Sequence, residues 1–590
     1  MDNKIAAILL TSLMERVDRE QSMGIMSSLE RQALQLAIQA LVDGNDQPLH
    51  PVPSEPPLIE TPPVPSDIDV TPTSQAAPVV QKPATESPAT STPPALPKVK
   101  LLLDAINREK PSDPDVLMCL DFGTAMSKAF AAVAPDEYLD LELGAAAGRN
   151  GYTLPSSVFI ADDGKAYFGF EAIELSQELV DSGRERLDSI KGWLSLRREG
   201  NLDGNAFLLQ PALNPTAYKL TQGDLIRIYL AYLTDMADIA LGAYQVNEKT
   251  VDRYVKRRFA RPCWPDAAQA QWADKLMRSM LAEAQILADT FSGRWAGGID
   301  VAELKAAVEE IKILGKRPDY LIDVGVPEPV AVAAGAIADS ENLRDGFMVV
   351  DVGAGTTDFG LFVSTRMPNN EDDAPRIFQV PASIQGLMQA GDKVDGMLRT
   401  FIARKESVDT SDSSGRMIMA DLGRRIRGLK EVLFKTERLE YALADGTVGH
   451  VALEDFLADE TVKRFGLAIN VGFKKALEAV DDTWLRWLAM DGVRLHVVLT
   501  GGSSELPMMK ALGLGMIEVR GFRILREPVD PKPEWMDGVS GELSAVYPQL
   551  AVAIGGVAET MPETLTAPPV FAGAGGRTRY TAGNLQLSGN

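Results

Sequence analysis

Cysteine and histidine are scarce in this chain, which has 590 residues but only 2 cysteines and 3 histidines. Cys119 and Cys263 are too few for a disulfide framework and fit a protein that stays in a reducing compartment. No spacing of cysteine and histidine matches a metal site. The histidines, at positions 50, 450 and 496, lie far in sequence from the two hairpins described below, which argues against a histidine-based catalytic triad.

Basic residues and long apolar runs are also in short supply. Lys and Arg number 59 against 82 Asp and Glu, a formal net charge of −23, so the surface would repel a phosphate backbone or an anionic membrane. The apolar run at 5–10 is too short to span a bilayer, and it lacks the basic region and cleavage site of a leader peptide. We therefore expect a cytoplasmic protein that binds no nucleic acid and has no membrane span.

The N-terminal part of the chain predicts a small module on a tether. Residues 1–42 have the apolar spacing of two amphipathic helices, broken at Gly24. Because a helical pair this small buries its apolar stripe poorly alone, it packs on a partner, on another copy or back onto the main body, and these alternatives stay open. Residues 43–113 are rich in Pro, Thr and Ser and predict a disordered linker.

Residues 347–362, FMVVDVGAGTTDFGLF, predict a β-hairpin with a glycine-rich tip. Backbone N–H groups of such a turn can bind an anion, threonine hydroxyls add donors, and carboxylates can hold Mg²⁺ through its waters. Taken alone, the stretch fits an ordinary tight β-turn as well as it fits an anion-binding loop. The candidate ligands are Asp351, Gly353, Gly355, Thr356, Thr357 and Asp358.

A second copy of this pattern lies earlier, at residues 116–130, VLMCLDFGTAMSKAF. An apolar strand again meets an acid, Asp121, which is followed by Gly123, Thr124 and a returning strand. Two facing hairpins of this kind would clamp a nucleoside triphosphate and its metal between two lobes. Neither stretch matches a P-loop or a dinucleotide-binding glycine pattern, and the letters DFG have no kinase catalytic loop nearby.

A third glycine turn lies at residues 495–506, LHVVLTGGSSEL. The pattern predicts a buried strand, a turn at Gly501 and Gly502, and a helix whose first turn is capped by Ser503. Such a joint lets the backbone pass close to a ligand and aims helix N–H groups at it.

Two stretches rich in small residues, 326–338 and 550–558, predict helices that can cross closely and form a hinge. Taken separately, each of the two stretches could equally be an ordinary helix of the protein core. Residues 184–198 also look helical and contain Lys191, which by sequence alone is as readily a solvated surface charge.

Taken in order, these elements resemble the actin and sugar-kinase superfamily of ATPases, most closely its DnaK-type heat-shock protein 70 branch. The shared order is first phosphate hairpin, first connecting helix, second phosphate hairpin, adenosine loop and second connecting helix, over about residues 114–562. The matching segments are Asp121-Phe-Gly-Thr124, Val326-Pro-Glu328-Pro, Asp351-Val-Gly-Ala-Gly-Thr356-Thr-Asp358, Thr500-Gly-Gly-Ser-Ser504 and, less closely, Ser189-Ile-Lys191-Gly-Trp-Leu.

The resemblance implies an α/β chain with a two-lobed, actin-like (ribonuclease H-like) ATPase fold and ATP in the cleft. It implies that Asp121 and Asp351 hold hydrated Mg²⁺, and that Glu328, Lys191 and Asp358 are catalytic. Catalysis would consist of positioning and charge neutralisation with no covalent step. Nucleotide contacts would come from Gly123, Thr124, Gly353, Gly355, Thr356, Thr357, Lys430, Gly501, Gly502 and Ser503.

The resemblance also divides the chain into segments. We expect lobe I at 114–340, lobe II at 341–540, a second connecting helix at 541–562 and a flexible tail at 563–590. No segment after about 562 is long enough for the peptide-binding domain and lid of that branch, so client holding in the usual form is not expected.

The sequence departs from the branch at several site positions. Ala125 stands where a second hydroxyl is usual, and Ala354 replaces a loop glycine. Arg427 and Glu431 differ from the charges that the branch places near adenine, and Gln549 replaces an acid. Base preference and the strength of the first phosphate loop are therefore open.

The function indicated first is an ATP-dependent conformational switch that acts through a protein partner, with the N-terminal helices as a candidate contact. Three alternatives remain at this point: an actin- or MreB-like filament protein, a small-molecule kinase, and a pseudo-ATPase that binds nucleotide without turnover. The missing loop hydroxyl keeps the last of these open.

Overall fold

The computed structural model describes residues 95–568, apart from 113–114, 134–136, 180–183, 196, 198, 265, 338–344, 366–375 and 540. The described residues belong to one compact unit of mixed α/β structure. The predicted helical pair at 1–42, most of the predicted linker and the tail from residue 569 lie outside the described residues.

The described part of the chain contains 21 short strands. The first eleven are β1 (Val116–Asp121), β2 (Met126–Val133), β3 (Glu137–Leu139), β4 (Leu154–Pro155), β5 (Val158–Ile160), β6 (Lys165–Phe168), β7 (Gln245–Val246), β8 (Lys249–Thr250), β9 (Lys256–Arg261), β10 (Ile299–Asp300) and β11 (Ile322–Pro327). The next ten are β12 (Gly346–Val352), β13 (Thr357–Thr365), β14 (Arg376–Gln379), β15 (Gln385–Leu387), β16 (Arg438–Ala442), β17 (Val448–Ala452), β18 (Leu495–Thr500), β19 (Gly515–Val519), β20 (Phe522–Val529) and β21 (Glu563–Thr564).

Helices connect and cover these strands. The first eight are α1 (Asp104–Arg108), α2 (Leu143–Ala146), α3 (Gly169–Glu178), α4 (Gly192–Ser195), α5 (Gln222–Leu241), α6 (Ala267–Phe291), α7 (Val301–Lys312) and α8 (Glu328–Ala336). The others are α9 (Gly391–Lys405), α10 (Ser413–Thr436), α11 (Leu453–Ala458), α12 (Glu460–Glu478), α13 (Asp482–Leu488), α14 (Pro507–Lys510) and α15 (Gly541–Gly556). None of the described helices combines the length and apolar character needed to cross a membrane.

The first large sheet has the strand order β11-β9-β1-β2-β3, with β4 also paired to β2. Strand β1 pairs antiparallel with β2 and parallel with β9, so it is central and its residues are almost all buried. The β1–β2 register places Lys128 directly opposite Asp121. The first predicted hairpin is thus present, with its acid at the end of the first strand.

The second large sheet has the order β19-β20-β18-β12-β13-β14-β21, with β15 also paired to β13. Strand β12 pairs antiparallel with β13 and parallel with β18, and every residue of β12 is buried, which explains its continuous apolar run. The register places Asp351 between Asp358 on one side and Thr500 on the other. The second predicted hairpin and the third glycine turn therefore lie at the same edge of one sheet.

Buried apolar side chains form a large cluster around each of these sheets. Helices α5, α6 and α7 supply most of the helical residues of the first cluster, and α9, α10 and α12 those of the second. A third cluster joins α8 and α15 to strands of both sheets, through residues such as Cys119 of β1 and Val349 of β12. The two halves of the molecule are thus packed on one shared pair of helices.

Helices α8 and α15 cross with their backbones in contact, as their small residues predict. A Cβ atom added at Gly555 would overlap the carbonyl oxygen of Ala331, and one added at Gly335 would lie 3.0 Å from the Gly555 Cα. Because the opposing atoms belong to backbone, no side-chain rotation could relieve the overlap.

Replacing Gly555 with alanine is therefore expected to destabilise the protein by about 3 kcal/mol, because the added methyl group forces the two helices apart. Gly428 offers a matched control, since it lies in helix α10 with open space around its Cα. Gly428→Ala should leave stability unchanged or raise it by about 0.5 kcal/mol. Urea denaturation of both variants checks the difference, and equal stabilities would contradict the close crossing.

The helices differ from the sequence-based expectations in three places. The helix predicted at 184–198 is reduced to α4, because Leu187 bridges to Val158 and Ser189 adopts a left-handed conformation with φ of 58°. The helix predicted after Gly502 does not begin until Pro507. The second connecting helix ends at Gly556, before residue 562.

The ends of the predicted linker and tail are ordered parts of the unit. At the linker end, the Leu102 N–H donates to the Thr290 hydroxyl at 3.1 Å, and the Tyr320 hydroxyl donates to the Ala105 carbonyl at 2.7 Å. At the tail, β21 pairs parallel with β14 at the edge of the second sheet. Composition alone did not predict either attachment.

Candidate functional site

The tips of the two predicted hairpins face one another across a cleft. A Cβ atom added at Gly355 would lie 2.8 Å from the Thr124 hydroxyl oxygen, so the two loops touch and the second needs a glycine at this point. The enclosed part of the cleft measures about 150 Å³. Its lining residues are Asp121, Gly123, Thr124, Ala125, Met126, Lys128, Lys191, Glu328, Asp351, Gly353, Ala354, Thr356, Arg427, Lys430, Glu431, Gly501, Gly502, Ser503, Gln549 and Val552.

All but three of the predicted site residues line this cleft. Gly355 is one exception, because it packs against Thr124 at the point where the loops meet. The Thr357 hydroxyl points away and donates to the Gln389 carbonyl at 2.7 Å, so it holds the loop in place. Asp358 lies behind the loop, where it accepts from the Cys263 N–H and the Thr356 hydroxyl, both at 2.7 Å.

Lys191 and Glu328 form an ion pair inside the cleft. The Lys191 ammonium donates to a Glu328 carboxylate oxygen at 2.6 Å, and each residue is only 6% exposed. Glu328 is placed by Pro327 and Pro329, which start α8 directly after β11. Burial alone would lower the pKa of Lys191, but the carboxylates of Glu328 and Asp121 outweigh burial and raise this pKa above its ordinary value. The ammonium therefore stays charged at neutral pH.

Lys128 is a cleft residue that the sequence reasoning missed. Its ammonium donates to the Asp121 carboxylate at 3.0 Å. Lys128 could have been predicted from the antiparallel register, because a hairpin whose turn begins after Asp121 must place a residue of β2 beside that acid. The buried Lys191 and the half-buried Lys128 thus bring two ammonium groups suited to phosphate oxygens to the cleft.

The Asp351 carboxylate faces the cleft without a partner. It is 5% exposed, and none of the described residues donates a hydrogen bond to it or forms an ion pair with it. Burial, with the charges of Glu328, Asp358 and Asp121, raises the pKa of Asp351 well above its ordinary range. This concentration of negative charge is one that a bound cation would relieve.

Asp121 and Asp351 could hold a magnesium ion through its waters. Oxygen donors suit Mg²⁺, which commonly binds one or two carboxylates and keeps several of its waters. Within the described part of the chain, no three His, Cys, Asp or Glu side chains are grouped to bind a metal. The donor set therefore fits a hydrated ion shared with a ligand and does not fit a cage of protein side chains.

Asp358 is fully buried next to this charged group. Burial and the nearby Glu328 carboxylate raise the pKa of Asp358 to about 8, although hydrogen bonds from Thr356 and Cys263 oppose the shift. In the unfolded chain an aspartate has a pKa of about 4. Between these values the folded state binds a proton that the unfolded state has released, so the stability contributed by protonated Asp358 is full below pH 4 and disappears as the pH rises through 8.

We expect Asp358→Asn to flatten the pH dependence of stability. The amide mimics the protonated acid and can still accept from the Cys263 N–H, so the variant should gain on the wild type as the pH rises from 6 to 9, by about 3 °C in melting temperature. Thermal melts across that range, without nucleotide, check the expectation. The exposed Asp491 provides a control, and Asp491→Asn should follow the wild-type curve. A constant gap between Asp358→Asn and wild type at every pH would contradict the shift.

Helix α10 forms one wall of the cleft mouth. Its Lys430 forms an ion pair with Asp395 at 2.7 Å, and Arg427 lies 3.4 Å from Asp392. Burial raises the pKa of Asp392 despite the Arg427 charge. The exposed Glu431 carboxylate lies on the same wall. The end of the cleft away from the hairpins is therefore charged and has no aromatic lining residue among those described.

The glycine turn at Gly501 and Gly502 closes the cleft from the second sheet. Gly501 has φ of 88°, and a Cβ atom there would overlap the carbonyl oxygen of Val352. Its N–H donates to the Pro548 carbonyl of α15 at 2.7 Å, and the Ser503 N–H donates to the Val352 carbonyl at 3.0 Å. The turn is thus fixed between the second hairpin and α15, where the sequence placed it.

A bridge of arginines spans the cleft away from the two shared helices. Arg424 of α10 donates to the carbonyl oxygens of Arg184 at 2.8 Å and of Leu179 at 2.9 Å. In return, Arg186 donates to the Arg424 carbonyl at 3.0 Å. Any motion that opens the cleft on this side must break these bonds.

No protein-family model matches the chain, and no curated protein sequence matches it either. Function must therefore be inferred from the cleft itself.

Proposed function

We propose that this cleft binds ATP together with Mg²⁺ and hydrolyses it, and that the chain is a two-lobed, actin-like ATPase related to the heat-shock protein 70 branch. The observation that carries the proposal is the meeting of two acid-bearing hairpins, distant in sequence, around a buried lysine–glutamate pair. A triphosphate between the loops would find backbone N–H groups, hydroxyls and ammonium groups on both sides.

The residues take separate roles in this proposal. The loops at Gly123, Thr124 and Thr356 hold the terminal phosphates, and Lys128 and Lys191 neutralise their charge. Glu328 orients the attacking water and accepts its proton, a role that its carboxylate can fill while Lys191 fixes its direction. Magnesium bound near Asp121 and Asp351 would supply charge neutralisation on the phosphate oxygens.

Nucleotide binding is coupled to movement of the lobes in this account. The enclosed volume of about 150 Å³ is well below the roughly 300–1,000 Å³ of typical ligand pockets, so ATP requires a wider cleft. Helices α8 and α15 are the hinge, and the Arg424 bridge is the part that must separate. We propose that a protein partner senses the opening, with residues 1–42 as its candidate contact, and that the protein works in the cytoplasm, which accords with its two buried free cysteines.

Calorimetry and phosphate release on the full chain test this function. Titration with ATP in the presence of Mg²⁺ should show one site per chain, and chelation of the metal should weaken binding at least about tenfold because the phosphates and carboxylates then repel. Slow release of inorganic phosphate should follow. Binding without phosphate release would leave a nucleotide-binding protein without turnover, and absence of saturable binding would overturn the proposal.

A further inference from the structure

A second cavity lies beside helix α5, on the first sheet's side of the molecule. It encloses about 220 Å³ between the end of α2, the start of α3, helix α5 and the turn that follows α6. It shares no lining residue with the cleft described above. Its lining includes four aromatic rings, those of Phe168, Phe170, Tyr232 and Trp295.

Three of these rings support one another, so the cavity is preformed. The ring centroids of Phe168 and Trp295 are 5.1 Å apart in an edge-on arrangement, and Tyr232 lies 5.3 Å from Phe168 and 5.5 Å from Trp295. The Trp295 indole N–H donates to the buried Asp235 carboxylate at 3.1 Å, which fixes its orientation. The walls therefore cannot collapse into the space without breaking this packing.

Two polar groups face the cavity. Tyr232 is only 4% exposed, and its hydroxyl has no hydrogen-bond partner within the described part of the chain. The hydroxyl is open to the cavity, so a ligand there could exchange a hydrogen bond with it. The second group is Glu171, whose carboxylate accepts, among the described residues, only from the Gly297 N–H, at 3.1 and 3.2 Å, and retains free lone pairs.

The charge of Glu171 is not neutralised within the described residues. In the part of the chain that the structure describes, no basic side chain forms an ion pair with Glu171, and no basic residue lines the cavity. The nearby Glu174 on the same helix differs, because it is paired with Arg149. The cavity therefore combines a negative charge, aromatic faces and a free hydroxyl, which together favour a positively charged occupant.

We propose that this cavity binds the end of an alkylguanidinium or alkylammonium group, the chemistry of an arginine or lysine side chain. Aromatic faces attract such cations, and the apolar walls take up the methylene stem. The Glu171 carboxylate neutralises the charge, and the Tyr232 oxygen accepts one of its N–H groups. The half-exposed Ile239 marks the mouth, where the stem would leave the protein.

Methyl NMR on the full chain tests this with n-butylguanidinium as the probe and n-butylurea as its uncharged isostere. The methyl groups of Met236 and Ile239, both cavity residues, report binding. We expect saturable shifts with butylguanidinium and about tenfold weaker binding of butylurea. A tenfold difference in affinity is what the loss of the cation–π and charge interactions at a partly desolvated site would cause. Equal binding of the two compounds, or shifts that do not saturate with butylguanidinium, would overturn the cation site without requiring any variant.

Single substitutions then measure how much each of the two polar groups contributes to binding. Glu171→Gln should weaken butylguanidinium about tenfold, and Tyr232→Phe about threefold. Glu174→Gln makes the same charge change outside the cavity and should leave the affinity unchanged. If Glu174→Gln weakens binding as much as Glu171→Gln, the attraction is a general surface effect and the site is refuted.

A pair of capped peptides identifies the source of the cation. One carries a single arginine and the other carries citrulline, its uncharged isostere. Binding of the arginine peptide as tightly as butylguanidinium supports the cation site with a partner protein as its source. Binding of butylguanidinium alone supports the same site with a free amine or guanidine as its source.

Discussion

Replacing Glu328 with glutamine is expected to lower ATP hydrolysis by about 100-fold or more while Mg-ATP affinity stays within about threefold of wild type. Glutamine has the same shape and can still accept the Lys191 hydrogen bond, so the cleft should keep its geometry. What is lost is the negative charge that, in the proposed function, orients the attacking water and takes its proton. Single-turnover phosphate release and calorimetry on the same preparation measure the two quantities.

The surface residue Glu310 provides the control for this substitution. It is exposed on α7, away from the cleft, and Glu310→Gln removes the same charge. Its hydrolysis rate should equal that of the wild type. Wild-type turnover in Glu328→Gln would remove Glu328 from catalysis, and a loss of binding equal to the loss of rate would assign it to nucleotide affinity instead.

Asp351→Ala is expected to weaken Mg-dependent ATP binding by about 100-fold, corresponding to about 3 kcal/mol, because it removes an anion placed to hold the hydrated metal. The same change should not destabilise the nucleotide-free protein. The Asp351 carboxylate has no partner in the described structure and is repelled by Glu328, Asp358 and Asp121, as the direction of its pKa shift indicates. Its removal relieves that repulsion, so the melting temperature should stay level or rise.

The opposite signs of these two effects make Asp351→Ala informative. Calorimetry with ATP gives the first effect and thermal melting without ATP gives the second, with Asp491→Ala as the exposed control. Unchanged affinity would remove Asp351 from the metal site. A large drop in the melting temperature would show that the carboxylate supports the fold, contrary to its unpartnered position.

The strands and turns of the cleft could be predicted from sequence because their signals are local. A β-branched apolar run ending in an acid and a glycine appears at both hairpins, and each is a hairpin in the structure. The close crossing of α8 and α15 at Gly555 could also be predicted from sequence, since only small residues allow two helix backbones to touch. The order of the hairpins and small-residue helices along the chain then predicted that the two hairpins share one cleft.

What sequence reasoning missed depends on distant contacts. Lys191 was placed in a helix, but a bridge from Leu187 to β5 and the left-handed Ser189 hold it in a turn that reaches Glu328. Lys128 required the hairpin register, and the Arg424 bridge required the approach of α10 to residues far earlier in the chain. None of these contacts leaves a periodic pattern in the sequence.

A crystal structure with Mg²⁺ and a non-hydrolysable ATP analogue tests the central claim most directly. We predict terminal phosphates between the loops at Thr124 and Thr356, with the metal waters on Asp121 and Asp351 and the Arg424 bridge rearranged to admit the nucleotide. An analogue bound outside this cleft, or a triphosphate that contacts only one of the two loops, would contradict the account.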